Sequence, residues 1–477
     1  MTTFGYSPLL TDLYQLTMAY GYWKLNMHEQ AAAFHILFRK SPFKGNYALC
    51  CGLESVIEFI QSWRFQPDDL AYLATLKNSD DQALFPSEFL AYLATLKFSC
   101  DMDAMPEGTI AFPQEPLIRI EGPILQCQLL ESSLLNIINF QTLIATKASR
   151  VVSVAGDDPV IEFGMRRAQG PNGALSASRA SYVGGCASTS NALAGKLFDI
   201  PVRGTHAHSW VTAFPDELAA FEAYASVMPH NCILLVDTYN TLEGVANAIN
   251  VGNQLREQGA LLLGIRLDSG DMAELSIKAR QMLDEAGFPD TVILASNSLN
   301  EYLMHDLKQR GAKINAWGVG THLATAYDQP ALDGVYKLAA LKDKKGEWQY
   351  KLKLSEEAAK ISNPGRHQVR RFFCNEQYIA DVIYDIELGI EDTPEAIIIN
   401  QNDKTKRLDD VDAFVDLLQP IYRQGELVKP SKSIHQIRDE ALDEVKRFHS
   451  TYKTESYAVG IEKRLFALRE ELIEKVK

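Results

Sequence analysis

Much that would narrow the field is missing from this chain. The opening residues, MTTFGYSPLLTDLYQ, carry neither a basic stretch nor an apolar core, so a secretory signal is not expected. No run of ~18 apolar residues occurs, so no membrane-spanning helix is expected. The seven cysteines (Cys50, Cys51, Cys100, Cys127, Cys186, Cys232 and Cys374) are odd in number and include no CxxC pair. That pattern predicts reduced thiols in a cytoplasmic protein and not a disulfide framework. Positive charge is scarce, with Lys+Arg 47 against Asp+Glu 61, and the net charge is -14. No basic stripe runs along the chain, which argues against a nucleic-acid partner. Compositional extremes are lacking too. Hydrophobic residues make up 46% and charged residues 23%, as in ordinary soluble proteins. A chain of 477 residues is too long for one compact core, which implies two or three domains.

What is present is most regular in the middle. Short apolar runs recur there: VIEF (160–163), IPVRG (200–204), CILLVD (232–237), LLLGIRLD (261–268), TVILAS (291–296) and INAWGVG (314–320). Between most of them lie stretches of helical character, such as DMAELSIKARQMLDEAG and LNEYLMHDLKQRG. Several end in glycine, a helix-stop signal. From residue 232 onward one unit follows another roughly every 23 to 30 residues, the spacing of βα repeats feeding a parallel sheet. The polar residues gather at the ends of these runs: Thr205 and His208 follow IPVRG, Asp237 ends CILLVD, Arg266 and Asp268 end LLLGIRLD, Ser296 and Asn297 end TVILAS, and Gly318, Gly320 and Thr321 end INAWGVGT. Strand C-terminal ends are where α/β barrels and open α/β sheets place their sites. The expected fold is α/β: an irregular barrel over 136–345, with an N-terminal α+β domain over 1–135 and a smaller C-terminal domain over 346–477.

The flanks read differently. Pro106-Glu107-Gly108 and FPQEP (112–116) punctuate short strand-like runs, and AYLATLK occurs twice, at 71–77 and 91–97. Two copies are too few for a solenoid; two similar amphipathic helices are expected. KDKKGEWQYKLKLS (342–355) predicts a hairpin, and the C-terminal end predicts helices.

Four stretches carry residues suited to chemistry. EFGMRRAQGPNGALSASRASYVGG (162–185) runs from a strand into Arg166 and Arg167, with Arg179 beyond. Arginine's planar fork binds phosphate or carboxylate; surface ion pairs are the plainer alternative. Arg203 and Arg266 at other strand ends favour the anion, because the global field of this acidic chain would repel one. In GIRLDSGDM (264–272), Ser269 or Asp271 is expected to cap a helix, which leaves Asp268 for ribose hydroxyls or a metal-bound phosphate. WGVGTHLAT (317–325) is a glycine-rich turn late in the series, where backbone N–H groups can cradle a phosphate. In RGTHAHSWV (203–211), His206 and His208 would share a face if extended. A metal pair, two packed histidines, or a nucleophilic or acid–base histidine in an anion-binding mouth are the three readings. The metal reading lacks further histidines at later strand ends.

Together LLTDLYQLTMAYGYW (9–23), EFGMRRAQ (162–169), GTHAHSW (204–210), VDTYNT (236–241), GIRLDSGD (264–271) and GVGTHLAT (318–325) resemble the nicotinate phosphoribosyltransferases, in order and spacing across nearly the whole chain. NPGRHQVRRF (363–372) resembles that family's C-terminal segment. The resemblance implies a type II phosphoribosyltransferase-like barrel, usually dimeric, joining nicotinate to 5-phosphoribosyl 1-diphosphate (PRPP). The products are nicotinate mononucleotide and diphosphate, for NAD biosynthesis. It implies coupling to ATP hydrolysis, use of Mg²⁺ carried by the substrate diphosphate, and a transient phosphohistidine at His208, with His206 at a variable position. By the same resemblance, Tyr14 and Phe163 would flank the pyridine ring, and Thr205 and Arg266 would hold its carboxylate. Thr321 with Gly318 and Gly320 would hold the 5-phosphate, Arg166 and Asp271 would lie near PRPP, and Asp237 and Asp268 near ribose and Mg²⁺-diphosphate.

The nearest rival resemblance is to nicotinamide phosphoribosyltransferase. That family carries an aspartate that accepts from the amide N–H₂, and matching GGCASTSN to it places Ala187 there. A neutral residue favours the acid substrate over the amide. A sugar-phosphate-binding barrel without activity is a third reading, disfavoured by the intact set of Arg266, Asp268, Asp271 and His208.

Overall fold

A computed structural model describes residues 7–355, 361–391, 394–398, 404–409, 411–429, 432–451 and 457–476. The chain forms two compact units: Met1–Leu143, Ala331–Ser433 and Asp443–Lys477 make one, and Ile144–Pro330 with Ile434–Leu442 the other. The sequence reading divides the chain into three consecutive segments; the structure groups the N-terminal segment with most of the C-terminal one.

The second unit holds the βα repeat. Its strands are Val160–Glu162, Ser188–Thr189, Ile233–Leu235, Gly264–Leu267, Val292–Ala295 and Ala316–Val319. They form one parallel sheet whose order is Ser188–Thr189, Val160–Glu162, Ala316–Val319, Val292–Ala295, Gly264–Leu267, Ile233–Leu235. Helices follow at Gly170–Val183, Thr241–Glu257, Met272–Glu285 and Glu301–Gln309. Each of the last three starts at an Asn or Asp cap: Asn240, Asp271 and Asn300 accept from backbone N–H groups of the first turn. That cap relieves donors the helix cannot satisfy itself. Gly287 and Gly311 stand just past two helix ends in the left-handed region, at φ +80° and +78°, a conformation that suits glycine. The sheet is buried by Leu234, Ile265, Leu267, Ile293, Ala295, Trp317 and Val319. At about 1.5–3 kcal/mol for each fully buried large aliphatic side chain, this layer dominates the unit's stability.

IPVRG (200–204) does not form the expected strand. Val202 makes a single parallel bridge to Thr189, because the chain turns away and a seam is left between Ser188–Thr189 and Ile233–Leu235. The irregularity of the barrel is this seam.

In the first unit, a seven-stranded sheet runs Trp348–Tyr350, Gly334–Lys342, Ala31–Phe38, Pro116–Pro123, Asp101–Ala104, Gln419–Arg423, Glu426–Leu427. The expected hairpin is the antiparallel pair of Gly334–Lys342 with Trp348–Tyr350. A second, mixed sheet contains His367–Cys374, the strand inside NPGRHQVRRF. The two AYLATLK copies end two helices, Pro67–Thr75 and Ser87–Thr95, as amphipathic patterning implies. All seven cysteines are free thiols. Among the described residues no helix is long and apolar enough to cross a membrane.

Candidate active site

The C-terminal ends of the parallel strands converge on one guanidinium. Arg266 is the third residue of Gly264–Leu267, and its side chain is only 16% exposed. Its Nε donates to Ser296 Oγ at 2.8 Å, its Nη1 to Thr205 Oγ1 at 3.2 Å, and its Nη2 to Asp268 Oδ1 at 2.9 Å. Ser296 in turn donates to Asp268. Two strand ends, at Asp268 and Ser296, and the loop residue Thr205 thus orient a fork that has five N–H donors in all. The Phe163 ring stands 5.6 Å from the guanidinium carbon, a cation–π arrangement. Burial pushes the Asp268 carboxyl upward, but the bonds from Ser296 and Arg266 outweigh it and hold the group below its ordinary value.

Phe163 is held from behind. Its N–H donates to Val319 O at 2.8 Å, and Gly318 lies beneath the ring: a Cβ there would sit 2.6 Å from two ring carbons. Gly318 therefore serves the ring as much as the turn. A Cβ on Gly320 would meet the Phe163 carbonyl oxygen at 3.2 Å. Glu162, 1% exposed, accepts from Gly164 N–H, Ser178 Oγ and Thr189 Oγ1, and so locks the turn that carries exposed Arg166 and Arg167. Its role has no signal in the sequence. Thr321 opens the single helical turn Thr321–Ala324.

The two histidines separate. His206, 7% exposed, packs its ring 4.8 Å from that of Tyr224. Its Nε2 accepts the Leu235 N–H at 3.2 Å, so it supplies at the seam the acceptor that a neighbouring strand would have given. Burial lowers its basicity. His208 begins the short helix His208–Thr212 and is 45% exposed. Its Nδ1 lies 3.1 Å from Thr238 Oγ1, and its Nε2 lies 3.8 Å from Asp268 Oδ2. The Thr238 hydroxyl at Nδ1 is visible in the sequence only as part of VDTYNT. Asp237 Oδ2 accepts from Asp268 N–H at 2.8 Å and Ser269 Oγ at 2.7 Å. Asp237 Oδ1 is buried with no hydrogen-bond partner among the described residues.

Three expectations need correction. Asp271 is the helix cap, accepting from Ala273 and Glu274 N–H, and its other oxygen holds Arg310 at 2.5 Å; occupied by these partners and itself anionic, it has nothing to offer a phosphate. Arg203 lines a cavity of about 660 Å³ with Pro159, Leu261, Leu262 and Val292, residues at strand starts, and so stands apart from the Arg266 fork. Ala187 lines that same cavity and donates its N–H to Val160 O. Since Glu162 pairs with Thr189, the residue level with Phe163 on this strand is Ser190, also neutral.

Tyr14 lies in the first unit on the helix Leu13–Lys24, 49% exposed, its hydroxyl 3.5 Å from Glu131 Oε1.

The sequence matches the nicotinate phosphoribosyltransferase (NAPRTase) N-terminal domain over residues 9–139, the nicotinate phosphoribosyltransferase (NAPRTase) family over 159–371 and the nicotinate phosphoribosyltransferase C-terminal domain over 366–469. It is 41% identical to a nicotinate phosphoribosyltransferase of Bacillus subtilis (strain 168), covering 98% of this chain and 96% of that protein. It is 37% identical to one of Dictyostelium discoideum, covering 96% and 87%. The crystal structure of human nicotinic acid phosphoribosyltransferase superposes with a TM-score of 0.84 at 31% identity, covering 97% of this chain and 99% of that one. The site geometry and matches that span the chain lead to one conclusion: the chain belongs to the nicotinate phosphoribosyltransferase family.

Proposed function

We propose that this enzyme joins nicotinate to PRPP, releasing nicotinate mononucleotide and diphosphate, and couples the reaction to ATP through His208. The observation that carries the reading is the Arg266 fork, fixed by Thr205, Ser296 and Asp268 beneath the Phe163 ring. A planar aromatic carboxylate suits that arrangement: the ring packs on Phe163 while its carboxylate takes the remaining donors of Arg266 and the Thr205 hydroxyl. Neutral Ser190 leaves no acid to repel the carboxylate.

PRPP places its 5-phosphate at Thr321 beside Gly318 and Gly320, with Arg166 nearby. As the C1–diphosphate bond breaks and the pyridine nitrogen bonds to C1, positive charge grows on the ribose, which the Asp237 and Asp268 carboxylates favour. The buried, unpartnered Asp237 Oδ1 fits a cation. Asp237 and Asp268 would hold the Mg²⁺ of Mg²⁺-diphosphate, which supplies charge neutralisation for the leaving group. The protein's remaining contribution is positioning.

His208 Nδ1 is oriented by Thr238. In the tautomer that donates from Nδ1, Nε2 carries the lone pair and attacks the γ-phosphorus of ATP: the Nε2–P bond forms, the bond to the β-phosphate oxygen breaks, and ADP leaves.

The testing assay presents nicotinate, nicotinamide and quinolinate in parallel, each with PRPP and Mg²⁺, with and without ATP. Nicotinate is expected to react and nicotinamide to be poor; equal turnover of the two overturns the reading. The phosphate turn is tested separately. Gly320→Val crowds the Phe163 carbonyl and the turn's donors, so calorimetry is expected to find PRPP binding weakened more than nicotinate binding. Gly318→Ala, which pushes on the Phe163 ring, is expected to show the opposite bias. Unchanged PRPP affinity in Gly320→Val would place the phosphate elsewhere.

A further inference from the structure

Behind the Thr321 turn lies a lysine that the proposed reaction does not use. Lys147, on the helix Glu131–Ala155, is 0% exposed. Its Nζ is 2.7 Å from Glu301 Oε2 and is bonded to Asp328 Oδ2. Glu301 opens the helix that follows Ser296–Asn300, a loop in which Asn297 and Ser298 both have left-handed φ (+86° and +49°). Its other oxygen takes Arg150 Nε at 2.9 Å. Asp328 lies in the loop after Thr321–Ala324, and its Oδ1 faces His322 Nδ1 at 3.8 Å. That nitrogen is buried and has no hydrogen-bond partner among the described residues. His322 directly follows Thr321, and its ring packs on Tyr327 at 4.6 Å. One buried ammonium therefore ties together the loops after two adjacent strands of the sheet.

A buried ion group is a poor device for stability alone, since well-packed hydrocarbon often does as well. What it provides is fixed geometry, and the Thr321 turn needs that from outside. It is a single helical turn, too short to hold itself, and it follows Gly320, which lies beyond the strand Ala316–Val319 and has no side chain to anchor it. A phosphate is held well only by donors that do not wander.

We propose that Lys147, acting through Asp328 and His322, positions the Thr321 turn for the 5-phosphate of PRPP. The proposal rests on Thr321 as the phosphate turn, and it makes Asp328 and His322 positioning residues for one substrate only. Glu301 is the branch by which the same lysine steadies the strained Asn297–Ser298 loop beside Arg266.

Lys147 itself is a poor test, because its removal leaves buried Glu301 without its ammonium and endangers folding itself. Asp328→Asn is better: the side chain is a third exposed, keeps its shape and loses only charge. Steady-state kinetics with each substrate varied, and calorimetry of PRPP binding, are the readouts. Asp328→Asn is expected to raise KM for PRPP about tenfold, the scale of one lost charge-assisted contact, with kcat and KM for nicotinate within about twofold. His322→Asn is expected to move the same constant in the same direction. The double variant should be no worse than the more damaging single one, because both interrupt one chain. An unchanged KM for PRPP, an equal rise in KM for nicotinate, or independent effects that multiply in the double variant would overturn the proposal. The two readings fail differently. Wild-type enzyme that binds PRPP but does not consume nicotinate defeats the functional reading, and PRPP affinity in the variants still decides this one.

Discussion

His208→Asn is expected to abolish ATP hydrolysis and the acid-labile label left by γ-labelled ATP, while slow, ATP-independent synthesis of nicotinate mononucleotide survives. The reason is a division of labour. Ribosyl transfer requires positioned substrates and a leaving group already charge-neutralised; it needs no acid or base from the histidine. In the proposed reaction, a phosphohistidine at this position would place negative charge near the diphosphate and its Mg²⁺, which would tighten PRPP binding and link hydrolysis to product formation. His208 is exposed to the strand ends, held at Nδ1 by Thr238 and facing Asp268 with Nε2, which is the presentation such a nucleophile needs. His206→Asn is expected to keep all three activities near wild type. Its cost should appear in Tm, because the Leu235 N–H at the seam loses or weakens its acceptor, worth about 1–3 kcal/mol if left unpaired. A labelled phosphoenzyme in His208→Asn, or its loss in His206→Asn alone, would reverse the assignment.

Arg266→Lys is expected to raise KM for nicotinate by roughly ten- to a hundredfold, as loss of about 1.5–3 kcal/mol of charge-assisted bonding would do. An ammonium keeps the charge but loses the planar fork. It also cannot bond Ser296, Thr205 and Asp268 at once in the present geometry, so Thr205 and Ser296 lose their common anchor. The cation–π contact with Phe163 changes with it. KM for PRPP should respond much less. A variant whose nicotinate KM is unchanged, measured by steady-state kinetics with PRPP saturating, would remove Arg266 from the carboxylate site.

The regular parts of the second unit were legible because local rules govern them. Apolar runs of strand length, helical patterning between them and Gly after helix ends placed CILLVD, LLLGIRLD, TVILAS and INAWGVG on strands and the intervening stretches on helices, as found. The clustering of Arg266, Asp268, Asp237 and Thr321 at strand C-termini was legible for the same reason. IPVRG failed the same rules because strand formation needs a partner, and only Val202 finds one.

The sequence by itself determined the alternation of strand and helix, the gathering of polar groups at the strand ends and, by resemblance, the family. Only the tertiary structure decided which of the paired groups does what. Val160–Glu162 pairs with Ala316–Val319 and with Ser188–Thr189, so neighbours in the sheet are distant in the chain, and local pattern carries no record of them. That order sets Phe163 above Gly318, Ser190 rather than Ala187 level with the ring, and Thr238 against His208. Tertiary structure also brings Arg310 to Asp271, whose capping of its own helix was already legible locally. It also separates His206 from His208: the chain bends between them, so one imidazole closes the open seam of the barrel while the other is left facing the strand ends.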